Sequence, residues 1–226
     1  MNDNTTFHFA GEYDLKIEQT IPCYSLFHEE TIQMVRLFNP IPESWLDTGC
    51  GTGTLAFKAM PYYPNTRFVL ADPSEEMLAI ARNKLSNALE SSFSFLQSAT
   101  QEINHPSESY DVITAIQSHH YLDYSTRVEA TNNCYRMLKE GGIYITFENI
   151  RPTSYPGISL GLSRWKSFQI NRGKSEAEAE NHVKRFDKEY FPITIEEHLK
   201  ILREAGFTSV EILWASYMQA GFYAIK

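Results

Sequence analysis

The chain has 226 residues, 42% of them hydrophobic, with a formal net charge of −8. That length supports one full hydrophobic core, so a single domain is expected over 1–226. The acidic balance argues against direct nucleic-acid binding. No apolar run of about 20 residues suggests a membrane span, and the start MNDNTTFHFAGEYD lacks the basic-then-apolar layout of a secretory leader. Cys23, Cys50 and Cys134 are widely spaced and form no CxxC, which fits free thiols in a reducing, cytoplasmic setting and argues against a metal centre.

In chain order, residues 24–38 (YSLFHEETIQMVRLF) carry apolar side chains at roughly helical spacing and stop at Pro40 and Pro42. Trp45-Leu46 begins a short buried strand that runs into Asp47 and a glycine turn, after which 54–60 reads as a helix. Residues 66–71 form a second strand ending at Asp72. Ser74 then caps a helix, SEEMLAIARNKLSNAL, whose buried stripe is Met77, Leu78, Ala81 and Leu85. Strands at 93–97 and 110–116, a helix at 126–138, a turn at Glu140-Gly141-Gly142 and a strand at 143–149 continue the alternation. Such alternation predicts an α/β fold: a Rossmann-like, mostly parallel seven-stranded sheet with helices on both faces. Residues 151–193 break the rhythm with two helical stretches and read as an insertion over the sheet. Ser175 with Glu178 there forms a capping box. A helix over 194–205 ends at Gly206. The stretches FTSVEILWAS and YMQAGFYAIK follow with almost no loop between them, which calls for a closing hairpin and an antiparallel strand.

The turn after the first strand, Asp47-Thr48-Gly49-Cys50-Gly51-Thr52-Gly53, lets backbone approach a ligand closely. A dinucleotide site wants its third glycine three positions after the second. Here the glycines are two apart and position 54 is Thr. The carboxylate of Asp47 would repel a pyrophosphate and attract an ammonium group. D-T-G-C-G-T-G resembles motif I of the class I S-adenosylmethionine (SAM)-dependent methyltransferases, and the likeness extends through the element order over nearly the whole chain. It implies that SAM is the cofactor and S-adenosylhomocysteine (SAH) the product. It places Asp47, Gly49, Cys50, Gly51 and Gly53 around the methionine end, with Gln117 and Ser118 beside them. Asp72, 21 positions after Gly51, would accept the ribose hydroxyls, unless it is only a turn aspartate. Pro73 and Met77 would lie against the adenine. Family members commonly carry an acidic residue after strand three; Ser98, Ala99 and Thr100 occupy that place here.

The front of the chain, Tyr13-Asp14 followed by Ile21-Pro22-Cys23-Tyr24, is similar in a looser way to the carboxy-SAM synthase family, as are Arg164 through Phe168, Lys184-Arg185, Ala205-Gly206-Phe207 and Trp214 onward. That family works on SAM and prephenate. It would need a cation for the new carboxylate, and Arg185 is the candidate, with a solvated helix face as the plainer reading.

The expected activity is methyl transfer from SAM to a small-molecule acceptor. Carboxy-SAM synthesis and a noncatalytic SAM-binding module are the alternatives. Transfer from a sulfonium needs an aligned acceptor more than a strong base, and aromatic faces suit the cation. Tyr24, with Tyr13 and Tyr121, is placed for that role or for ordinary packing. His119, just past strand four, is either a general base or a hydrogen-bonded structural histidine. Glu148 ends strand five and is a candidate to face the acceptor. His119, His120 and Asp123 make a poor metal set, since adjacent histidines on extended backbone point to opposite faces. Gly173-Lys174-Ser175 lacks the upstream glycine of a phosphate loop, Phe168 standing there. The expected covers of the acceptor are an N-terminal helical lid over about 1–40 and the insertion, with Trp165, Phe168, Tyr190 and Phe191 lining or closing a pocket or simply packing. That aromatic insertion is also a candidate homodimer surface.

Overall fold

The structure is a computed structural model that describes residues 6, 8–87 and 92–226. The strands are β1 (Ser44–Thr48), β2 (Arg67–Asp72), β3 (Phe93–Gln97), β4 (Tyr110–Ile116), β5 (Leu138–Asn149), β6 (Ser209–Ser216) and β7 (Gln219–Ile225). The α-helices are α1 (Tyr13–Thr20), α2 (Tyr24–Phe38), α3 (Thr54–Ala59), α4 (Glu75–Lys84), α5 (Tyr124–Met137), α6 (Tyr155–Asn171), α7 (Glu176–Val183) and α8 (Ile195–Ala205). One seven-stranded sheet runs in the order β3-β2-β1-β4-β5-β7-β6. Strands β1 to β5 pair in parallel, and β7 lies antiparallel between β5 and β6. This is the expected α/β architecture with a C-terminal hairpin, Tyr217 supplying a left-handed residue (φ 53°) to its tight turn.

Central strand β1 is buried along its whole length, with Asp47 beside Leu70 of β2 and Thr114 of β4. After β1 the chain first adds strands on one side and then returns to the other. The crevice between β1 and β4 is therefore a topological switch point, where open parallel sheets hold ligands. Period-2 geometry puts Trp45 and Asp47 on one face. The Trp45 indole donates to the Thr114 hydroxyl (2.9 Å), which donates to the Asp47 carboxylate (2.7 Å).

Helix α4 starts as its sequence dictates, with Ser74 Oγ accepting from the Met77 amide. It ends at Lys84, short of the expected span, and residues 88 and 89 of that span lie outside the described residues. The Glu140-Gly141-Gly142 break falls inside β5 rather than ahead of it. Leu138 already pairs with Tyr110, and the pairing then slips so that Val112 meets Ile143. The glycines make an offset within the strand, Gly141 adopting φ +71°. The insertion is bounded by a parallel bridge between Ile150 and Ile193, and the Ser175–Glu178 capping box is formed. A second box, Thr194 with Glu197, starts α8, and Gly206 closes it in the left-handed region. The Trp165 indole of α6 donates to the Thr20 carbonyl of α1 (2.7 Å), which fixes the insertion against the N-terminal helices.

Candidate functional site

The C-terminal ends of β1, β2 and β4 surround a cavity of about 260 Å³. Its floor is the glycine turn. Gly49 (φ +64°) sits so close to Ser118 that a Cβ would fall 2.3 Å from the serine Cβ, so both backbone conformation and space demand glycine. Gly51 (φ +54°) has no protein atom within 4 Å of a built Cβ and lines the cavity, leaving room for a ligand against bare backbone. The Gly51 amide donates to Asp72 Oδ2 (2.8 Å) and the Ser74 amide to Asp72 Oδ1 (2.9 Å). One carboxylate thus joins the end of β2 to the glycine turn and to the start of α4.

Of the residues singled out in the sequence, Asp47, Gly49, Cys50, Gly51, Asp72, Pro73, Met77, Ala99, Thr100, Gln117, Ser118, His119 and Tyr24 all line this cavity, together with Tyr13 and Tyr121. Gly53 and Ser98 do not. Gly53 is the N-cap of α3, and a Cβ there would fall 3.1 Å from the Ala81 Cβ of α4. The Ser98 hydroxyl turns to the Ala99 carbonyl, and its amide holds the Asp72 carbonyl. Asp47 is 2% exposed. Burial, reinforced by the Asp72 charge and opposed by the Thr114 hydroxyl, lifts its carboxyl to about 7. An arriving cation would stabilise its ionised form. Burial also pushes the Cys50 thiol well up, which leaves it inert as a nucleophile.

The turn after β4 is held from below. Gln117 adopts φ +57°, and its amide donates to the Phe147 carbonyl (2.6 Å). Glu148, wholly buried, accepts from the backbone of His119 (3.1 Å) and His120 (2.9 Å), from His120 Nδ1 (2.8 Å) and from the Thr146 hydroxyl (2.9 Å). Glu148 therefore does not face the cavity, as its place at the end of β5 suggested; it anchors the turn after β4. Buried Arg127 ties the same turn to the end of the insertion through the carbonyls of His119, Leu122 and Phe191. The His119 ring lies 3.1 Å from Thr100 Oγ1 and 3.3 Å from the Tyr144 hydroxyl. Burial lowers it to about 4, so it is neutral at physiological pH. Ser118 Oγ is buried without a partner among the described residues, a polar group held open beside the glycine turn.

The N-terminal helices form the opposite wall. Asp14, next to cavity-lining Tyr13, accepts from the Thr52 hydroxyl (2.6 Å) and the Thr54 hydroxyl (3.2 Å) of the glycine turn and pairs with Lys84 of α4 (2.7 Å). Several lining residues went unnoticed in the sequence, among them Thr6, Leu55, Gln101, Thr54 at the start of a helix, and His28, which stands one helical turn after Tyr24 on the same face. The insertion aromatics do not reach the main cavity. Trp165 packs edge-on to His182 and Tyr190, and Phe168 packs on Tyr217. Burial against α1 and the hairpin claims their surfaces, while Phe191 stays 39% exposed. A second, polar space of about 20 Å³ shares Tyr13, Gln117 and Tyr121 with the cavity and is also lined by Arg185 and Tyr190. Arg185 there bonds the Tyr121 hydroxyl and pairs with Glu189 (2.6 Å).

Residues 46–144 match the family model of a methyltransferase domain. The carboxy-S-adenosyl-L-methionine synthases of Campylobacter lari and Wolinella succinogenes are 23% and 27% identical to this chain, each over 96% of it and over 92% and 90% of their own lengths. A SAM-dependent methyltransferase structure from Thermotoga maritima superimposes with a TM-score of 0.62 at 19% identity, covering 96% of both chains. Human N-acetylserotonin methyltransferase in complex with SAM superimposes with a TM-score of 0.61 at 16% identity; this chain is covered to 99% and spans 60% of that one. At these structural identities the likeness is one of fold.

Proposed function

We propose that this chain, whose residues 46–144 match a methyltransferase domain, is a class I SAM-dependent methyltransferase that holds SAM in the cavity at the ends of β1, β2 and β4 and passes its methyl group to a small-molecule acceptor. The observation that carries the reading is the glycine turn flanked by two buried carboxylates, with open space over Gly51 and an unpartnered Ser118 hydroxyl. Those groups fit the cofactor's chemistry. Asp72 offers acceptors to the ribose hydroxyls, Asp47 a carboxylate to the ammonium group, and Gly49 and Gly51 bare backbone for close approach. Pro73 and Met77 give an apolar wall for the adenine. When bound, SAM supplies an electrophilic methyl on a sulfonium.

The protein's contribution is alignment and exclusion of water. The pinned 117–121 turn and the helices carrying Tyr13 and Tyr24 enclose the space in which an acceptor would meet the methyl group. His119, uncharged at physiological pH, is the group placed to take up a proton from a hydroxyl or amine acceptor, by exchanging its Thr100 contact for the acceptor. Calorimetry of the purified chain with SAM, SAH and NAD tests the cofactor assignment. Micromolar binding of the first two and none of the third is expected; the reverse pattern would dismiss it. Asp72→Ala is expected to weaken SAM at least tenfold.

One observation favours a second reading, carboxy-SAM synthesis. Buried Arg185 bonds Tyr121 in a polar space next to the cavity, where it would meet a carboxylate. Mass spectrometry of the ligand carried through purification separates the two, since carboxy-SAM is heavier by a carboxylate.

A further inference from the structure

The cavity wall is electrostatically one-sided. Among the described residues its carboxylates are Asp47 and Asp72, and no lysine or arginine lines it. An amino-acid end brings a carboxylate along with its ammonium group, and a carboxylate leaving water needs donors. The two lining histidines are the side chains there that can both donate and take a positive charge. His119 has both ring nitrogens within reach of hydroxyls. His28 does not. It is 2% exposed on the inner face of α2, and its ring meets the Tyr24 ring edge-on with centroids 4.9 Å apart. Its Nδ1 is buried without a hydrogen-bond partner among the described residues. Most buried polar atoms have a partner, so one left bare beside a ligand cavity asks for an explanation. With Nδ1 unbonded, nothing there fixes which ring nitrogen carries the proton.

We propose that His28, packed edge-on against the Tyr24 ring, binds the α-carboxylate of the cofactor's amino-acid end. The surroundings agree. Burial comes first in holding the free ring neutral, and the fields of Lys58 on α3 and Lys84 on α4 act in the same direction, with Asp14 on α1 opposing them. An anion placed there meets two lysine fields and a ring that becomes a better donor as the anion approaches. The assignment rests on the cofactor reading above. Tyr24, expected from the sequence to be catalytic, then acts as a binding group at the far end of the cofactor.

The test is calorimetry on the full chain, wild type against His28→Leu and His28→Gln, with SAM, SAH and 5′-methylthioadenosine, which keeps the nucleoside and sulfur but lacks the amino-acid end. His28→Leu is expected to weaken SAM and SAH about tenfold or more while changing 5′-methylthioadenosine less than twofold. His28→Gln, which keeps a donor, is expected to fall between, and it carries the test alone if the leucine variant does not fold. Equal weakening of all three ligands would make His28 a packing residue and overturn the proposal, as would no change in any. Unchanged SAM affinity with a raised KM for a carboxylate-bearing acceptor would move the carboxylate to the acceptor and equally overturn it. Wild-type protein that binds none of the three refutes the cofactor reading itself, an outcome separate from the variant's behaviour.

Discussion

Replacing Glu148 by glutamine tests whether the turn that carries the site is held by one buried carboxylate. Glu148 accepts four hydrogen bonds from His119, His120 and Thr146. A glutamine amide has one oxygen with two acceptor sites, and its NH2 would face donors. At least two bonds to a charged acceptor are lost, each typically about 1.5–3 kcal/mol. Removing a buried charge returns part of that, so the expected net loss is about 3 kcal/mol, a large share of a stability of typically about 5–15 kcal/mol. Urea unfolding followed by circular dichroism at pH 7.5 measures it, and SAM affinity is expected to fall with it because Gln117 and Ser118 ride on the same turn. A loss below about 1 kcal/mol with unchanged affinity would refute the anchoring role. The pair has a definite protonation state. Burial alone would raise the Glu148 carboxyl, but the His120 hydrogen bond and the neighbouring histidine charges outweigh it and bring it to about 2. Burial outweighs Glu148's pull on His120, whose ring is lowered. At neutral pH the pair is thus a carboxylate and a neutral imidazole donating from Nδ1. A depressed carboxyl stabilises the fold above its ordinary range. The contribution of Glu148 is therefore present above about 4.5, is lost as pH falls toward about 2, and is absent in Glu148→Gln.

Gly49→Ala adds a Cβ 2.3 Å from the Ser118 Cβ at φ +64°; backbone strain and overlap together are expected to cost about 2–4 kcal/mol in urea unfolding and to abolish measurable SAM binding. Asp14→Asn weakens the contact of α1 with Thr52, Thr54 and Lys84. Stability should change by no more than about 1 kcal/mol, since the pair is partly exposed, while stopped-flow SAM dissociation should speed up severalfold; an unchanged off-rate would show that this contact does not hold the cofactor in. Burial lowers His8 and His119 to about 4 and His28 and His198 to about 3. The unfolded chain takes up those protons near 6.5 and the folded one does not, so stability is expected to fall as pH drops from 6.5 toward 4, by up to about 1.4 kcal/mol per pH unit for each histidine. Urea midpoints at pH 7.5 and 5.0 check the direction; an equal or higher midpoint at pH 5.0 would count against neutral burial.

Much of the fold was legible because local chemistry and tertiary structure agree. Ser74, Ser175 and Thr194 cap the helices they precede, and the change of rhythm after Asn149 coincides with the Ile150–Ile193 bridge. The glycine turn with Asp47 and Asp72 located the cavity, since strand ends adjacent in the sheet need no long-range information to be named. What failed to show was side-chain direction. β5 is buried on both faces along Ile143–Asn149, so alternation offers no sign of where Glu148 points. Trp165 and Tyr190 are consumed by contacts with α1 and His182, residues distant in sequence. His28 hid in an amphipathic helix, where a histidine on the apolar face reads as filler; only its spacing of four from Tyr24 marked it.

The uneven charge of the cavity wall bears on how catalysis ends. In the proposed reading a ligand whose sulfur is positive is drawn by Asp47 and Asp72, with no lysine or arginine among the described lining residues to oppose it. Once the methyl group has left, the sulfur is neutral and that attraction is gone, while the adenine and ribose contacts remain. A difference of about 1 kcal/mol already means roughly fivefold in affinity. Under the proposed cofactor assignment the wall favours the charged donor over its neutral product without any moving part, a bias that removal of either carboxylate is expected to reduce.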